Sequence, residues 1–223
     1  MGAPRARVDR STFIPAAEET GLIAPIGEWV LHEACGVAAK WPDPIGVAVN
    51  LSPVQFRKNR NLVAQVESAL AASGLKPDRL ELEITESVLV TDDEAALAIL
   101  RQLKALGVKV ALDDFGTGYS SLSYQRRFPF DKIKIDRSFV RESTENADGL
   151  AIVKAVIGLG RSLGLATTAE GVETESQLDI VREQGCTEVQ GFLFSVPLPA
   201  TAANEFVARL RFSNPAQRGM RRA

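Results

Sequence analysis

Apolar residues along this chain recur in two rhythms. Six short segments have strand length and strand composition: "IGVAVN" (45–50), "LELEIT" (80–85), "VKVALD" (108–113), "KIKID" (132–136), "LATTAE" (165–170) and "TEVQG" (187–191). Between them apolar positions return at helical spacing, as in "IGEWVLHEACGVAAKW", "NLVAQVESALAAS" and "DEAALAILRQLKALG". Thr91 and Asp92 are cap candidates for the last of these, and Gly107 is placed to close it. Strands alternating with helices predict an α/β fold with a parallel sheet. Only the ends depart from the pattern: residues 1–12 are polar and basic, and 212–223 read as a flexible basic tail.

The polar residues that close these strands add chemistry to the pattern. In order they are Asn50, Glu83 with Glu86, Asp113 with Asp114, Lys134 with Asp136, Glu170 and Gln190. In a (β/α) barrel the C-terminal strand ends form one mouth, so residues from several strands converge there. Converging carboxylates repel one another and resist desolvation, which predicts oxygen-liganded divalent cations of the Mg²⁺ or Mn²⁺ kind among them. The adjacent aspartates of "ALDDFGTGYSSL" fit a two-ion site only if the strand end bends, because neighbours on a regular strand point to opposite faces. Any one of these residues reads equally well as a helix cap or a turn. The set does not, since Glu and Gln are poor N-caps and Lys134 is none. "GTG" taken alone is a weak signal, lacking the third glycine of a dinucleotide fingerprint.

Composition narrows the classes. The chain has 223 residues, 45% hydrophobic and 24% charged, which suits one globular domain. A net charge of −2 argues against binding duplex nucleic acid, while leaving a small anionic ligand open. Cys35 and Cys186 lack metal-site spacing. The most apolar stretch, "AIVKAVIGLGRSLGLATTA", is broken by Lys154 and Arg161, so no membrane span is expected, and with no signal peptide visible a cytoplasmic location is. His32, the single histidine, reads as a surface or packing residue of its helix, and Trp29 and Trp41 as packing residues.

The motifs "FIPAAEETGLI", "VNLSPVQF", "LELEITES", "ALDDFGTGYSSLSYQRRFPFDKIKIDRSFV", "AEGVET" and "QGFLFS" closely resemble, in order, those of the bacterial EAL-domain phosphodiesterases, which hydrolyse the second messenger cyclic di-GMP. The resemblance runs from about residue 8 to residue 210. It implies a TIM-like (β/α) barrel over 13–211, behind a linker remnant at 1–12, and a two-metal site for Mg²⁺ or Mn²⁺. The implied metal ligands are Asn50, Glu83, Asp113, Asp114 and Glu170, with Asp113 bridging. Lys134 and Gln190 would attend the substrate or its water, Glu86 and Glu173 would anchor the "DFGTGYSS" loop, and the product would be linear pGpG. The resemblance also implies a homodimer contact through the loop and helix at 115–128. One departure stands out. These residues hold no Glu-Ala-Leu motif, which in the family supplies a further metal ligand and a substrate-binding arginine. With six of eight barrel strands counted, the expectation is an incomplete barrel, truncated at its N-terminus, with unpaired edges and impaired hydrolysis. The alternative expectation is a non-catalytic cyclic di-GMP-binding or protein-interaction module. An enolase-like Mg²⁺ lyase, the third reading, fits Asn50, Gln190 and the aspartate pair less well.

Overall fold

A computed structural model describes residues 10–58, 61–88, 93–116 and 127–209. Among them six strands form one sheet in sequence order: β1 (Val47–Leu51), β2 (Leu80–Thr85), β3 (Lys109–Phe115), β4 (Lys132–Ile135), β5 (Ala166–Ala169) and β6 (Glu188–Val189). Every neighbouring pair is parallel. The architecture is thus mixed α/β with a curled half-barrel of parallel strands, as the strand–helix alternation predicts.

Alternation along each strand divides the two faces of the sheet. Val49, Leu51, Leu80, Leu82, Ile84, Val110, Leu112, Ile133 and Ile135 point outward and are buried against helices. The intervening residues, among them Glu81, Glu83, Asp113, Lys132, Lys134 and Thr168, line the concave inner face. Among the described residues the α-helices are α1 (Arg10–Thr20), α2 (Ile23–Ala38), α3 (Pro53–Lys58), α4 (Leu62–Ser73), α5 (Asp93–Ala105), α6 (Arg137–Glu142), α7 (Ala147–Leu163), α8 (Glu175–Glu183) and α9 (Ala200–Arg209), of which α2, α5 and α7 pack directly on the strands.

Local chemistry sets the helix ends. Gly74 and Gly164 close α4 and α7 in the left-handed conformation, and Thr174 opens α8 with a capping box closed by Gln177. The cap candidates Thr91 and Asp92 lie outside the described residues, while Gly107, at φ 91°, follows α5 in the left-handed region that glycine favours. Helix α1 opens at Arg10, inside the stretch 1–12 read as a linker, and carries Pro15 within it. Trp29 departs from expectation: it is 64% exposed, because α2 buries Ile23, Gly27, Leu31, Cys35 and Ala38 and turns Trp29 away from that face. Trp41 is half-buried and donates from Nε1 to Asn204 Oδ1 of α9 at 2.7 Å. No described helix is long and apolar enough to cross a membrane.

Candidate active site

At the C-terminal strand ends the inner face becomes a cluster of charge. Glu83 on β2, Asp113 on β3, Lys134 on β4 and Glu170 just after β5 all face inward at one level. The Lys134 ammonium donates to all three carboxylates: Glu170 Oε1 at 2.6 Å, Glu83 Oε1 at 2.8 Å and Asp113 Oδ1 at 3.1 Å. Oxygens of Asp113, Asp114 and Glu170 lie within 4.8 Å of one another. Glu83, Asp113 and Lys134 are buried, with Lys134 only 3% exposed.

Asp114 is brought to this cluster by backbone rather than by strand alternation. Pairing between β3 and β4 shifts register between Leu112 and Phe115, and Asp114 adopts φ 53°. This is the left-handed region, which aspartate tolerates better than most side chains. The Asp114 amide donates to Asp113 Oδ1 at 3.1 Å. Two consecutive aspartates that a regular strand would aim at opposite faces therefore share one side, which is the bend the sequence reading required.

The electrostatics are unbalanced. Four carboxylates surround one ammonium. Burial pushes the Glu83 carboxyl up despite Lys134, with the charge of Asp113 adding to the effect. Glu170 is raised by burial in the same way, and Asp114 by burial and by the charges of Asp113 and Asp136. Burial alone would lower the Lys134 ammonium, yet Glu83 and Glu170 hold it well above the usual lysine range. In the Lys134 pairs with Glu83 and Glu170 both partners shift upward, the carboxyls chiefly because burial disfavours their charge and the ammonium because two carboxylates hold its proton. Hard carboxylate oxygens converging on an excess of negative charge suit small oxygen-liganded divalent cations, so the residues present fit the metals expected of them.

The other residues singled out from sequence take several positions. Asn50 is exposed at the end of β1, in register with Glu83. Gln190 follows β6 with its backbone amide donating to Ala169 O at 2.9 Å and its side chain exposed beside the inner groove. Glu86 Oε1 accepts the Gly116 amide at 3.4 Å, at the start of the glycine-rich loop whose residues 117–126 lie outside the described residues. Glu173 is exposed, and its amide donates to Gln177 Oε1 at 2.8 Å. Asp136 takes the bland role: it is the N-cap of α6, accepting the Ser138 amide at 2.9 Å.

Sequence reading passed over a second ionic tier beneath the first. Lys132 pairs with Glu81 at 2.7 Å and with Glu188 at 2.5 Å, and Thr168 Oγ1 donates to Glu188 Oε2 at 3.3 Å. The signal was present in parity: each of these residues stands two positions before a strand-end residue and so shares its face.

Fold and site together define a parallel α/β half-barrel with an acidic, lysine-centred site at its strand ends. The chain belongs to the EAL domain family, whose model matches residues 3–197. Protein y4lL of Sinorhizobium fredii is 55% identical over 199 residues, covering 89% of this chain and 24% of that protein. MucR of Pseudomonas aeruginosa, a bifunctional diguanylate cyclase/cyclic di-GMP phosphodiesterase, is 50% identical over 192 residues, covering 84% of this chain and 28% of that protein. The solved structure of PaMucR phosphodiesterase in complex with c-di-GMP superposes with a TM-score of 0.85 at 47% identity, over 90% of this chain and 83% of that one. The chain spans about a quarter of the length of the curated relatives it matches.

Proposed function

We propose that this domain is a metal-dependent cyclic di-GMP phosphodiesterase that opens its substrate with water to give linear pGpG. The observation that carries the reading is the charge imbalance at the strand ends, where one lysine faces the carboxylates of Glu83, Asp113, Asp114 and Glu170. The names of MucR and of its c-di-GMP complex support the choice of substrate.

Asp113, Asp114 and Glu170, with Glu83 and Asn50 beside them, would hold two Mg²⁺ or Mn²⁺ ions, Asp113 serving both. Such a pair supplies Lewis acidity, lowering the pKa of water toward neutrality and stabilising charge on the phosphodiester. Lys134 fixes the Glu83, Asp113 and Glu170 carboxylates through its three ion pairs and stays charged at neutral pH, adding a positive charge close to where the anionic substrate docks. Gln190 presents an amide at the groove for the phosphodiester or its water. Glu86, through the Gly116 amide, and Glu173 anchor the "DFGTGYSS" loop. Residues 115–128, of which 117–126 lie outside the described residues, serve as a self-association surface. The domain works in the bacterial cytoplasm, where cyclic di-GMP is made and degraded.

The 223 residues include no Glu-Ala-Leu motif, so this chain by itself is expected to hold its metals weakly and to turn over slowly. Incubation with cyclic di-GMP and Mn²⁺, followed by chromatography, is expected to yield pGpG that Asp113→Ala abolishes. Binding by calorimetry in Ca²⁺ with no product in Mn²⁺ would replace the catalytic reading with a receptor module; neither binding nor product would sink both.

A further inference from the structure

The lower tier of the inner face has a geometry that charge alone does not require. Glu81, Lys132 and Glu188 each stand two residues before Glu83, Lys134 and Gln190 on the same strands, so both tiers face inward one above the other. Lys132 reaches Glu81 Oε1 and Oε2 at 3.0 and 2.7 Å and Glu188 Oε2 at 2.5 Å. Its own strand, β4, lies midway between β2 and β6, two places from each. In a flat sheet, side chains two strands away stand about 9–10 Å off. One ammonium bonds partners on both sides only where the sheet curls inward.

The strand at one end of that reach is short. β6 spans two residues and pairs with β5 alone among the described residues. It nevertheless carries Gln190 to the mouth. Removing the ammonium would leave Glu81 and Glu188 facing one another unscreened, which pushes β6 away from β2.

We propose that Lys132 is a positioning residue, a cross-brace that ties β2 to β6 through the Glu81 and Glu188 carboxylates and so keeps the strand-end carboxylates convergent. The proposal rests on reading the mouth as a metal site. It competes with a simpler role, in which Lys132 only offsets negative charge.

The two roles separate in hydrogen exchange at the Gln190 amide, which ties the end of β6 to Ala169 O of β5, and in Mn²⁺ affinity measured from the free-ion EPR signal, both on the 223-residue chain. Lys132→Met is expected to speed exchange at β6 and to weaken Mn²⁺ binding roughly tenfold, the scale seen when a group supporting metal ligands is lost. Lys132→Arg, which can bridge both carboxylates, is expected to restore both. The triple variant Glu81→Gln, Lys132→Met, Glu188→Gln removes the charge excess but not the loss of the bridge, and is expected to stay impaired. Unchanged β6 exchange in Lys132→Met, or full recovery of exchange and affinity in the triple variant, would overturn the brace. If Lys132→Met does not fold, Glu188→Gln releases the β6 arm alone and must speed exchange there without doing so in β2 and β3; unchanged exchange overturns the proposal again. Should the unsubstituted chain bind no Mn²⁺, the metal reading fails by itself, and β6 exchange still decides the brace.

Discussion

Asp114 carries two requirements at once, a carboxylate and a left-handed backbone. At φ 53° its conformation is open to Asn and Asp but strained for β-branched side chains, at a cost of about 1–3 kcal/mol. Asp114→Asn is therefore expected to keep its thermal midpoint while losing Mn²⁺ affinity. Asp114→Val should lose both, and thermal denaturation with and without Mn²⁺ separates the two effects. Equal midpoints for the Asn and Val variants would show that the backbone is not under this constraint. That Glu83, Asp113, Lys134 and Glu170 meet in one cluster was legible in the sequence because position at a strand end is a local property. The left-handed turn at Asp114 was legible only as a need: adjacent aspartates demanded a bend, but nothing in "ALDDFG" named the residue that makes it.

At the scale of elements, one side chain from the turn before β2 ties down the end of α2 and the segment that follows it. Arg79 donates from Nε to Ile45 O at 2.7 Å and from Nη2 to Ala38 O at 2.7 Å and Trp41 O at 3.0 Å. These carbonyls lie at the end of α2 and in the segment that leads to β1, where the last helix acceptors have no i+4 donor; Ala38 O also accepts the Trp41 amide at 3.0 Å. Its ion pair with Asp43 at 3.1 Å adds little, since Asp43 is 53% exposed. Arg79→Ala is expected to cost about 1–3 kcal/mol, read as a lower urea midpoint, because three part-buried carbonyls lose a donor, Ala38 O alone keeping the Trp41 amide. Asp43→Ala should cost far less. The helix "IGEWVLHEACGVAAKW" was legible by its period, yet its observed span, Ile23–Ala38, starts earlier and stops short of Lys40 and Trp41. The donor for these carbonyls, Arg79, stands 34 to 41 positions later in the sequence, which a local pattern cannot foresee.

For the whole molecule, the inner face holds charge that folding brings together at a cost. The Glu83, Asp114 and Glu170 carboxyls are raised by burial, so the folded state binds their protons more tightly than the unfolded chain does. Their contribution to stability is full below the unfolded carboxylate range and is lost as pH rises through the raised values. On the proposed metal reading, divalent ions would compete with those protons and offset the repulsion once the carboxylates ionise. The Mn²⁺-induced rise in thermal midpoint is therefore expected to grow from about pH 5 to about pH 8. A shift that is the same at both, or larger in acid, would separate the metal from these carboxylates.

The sequence by itself determined the parallel α/β class, the six strands and the strand-end residues that converge, because alternation and strand-end chemistry are written locally. Only the tertiary structure decided that the sheet curls enough for Lys134 to meet three carboxylates and for Lys132 to join β2 to β6. That curl is the sum of strand pairings and helix packing along the whole chain. No window of sequence contains it.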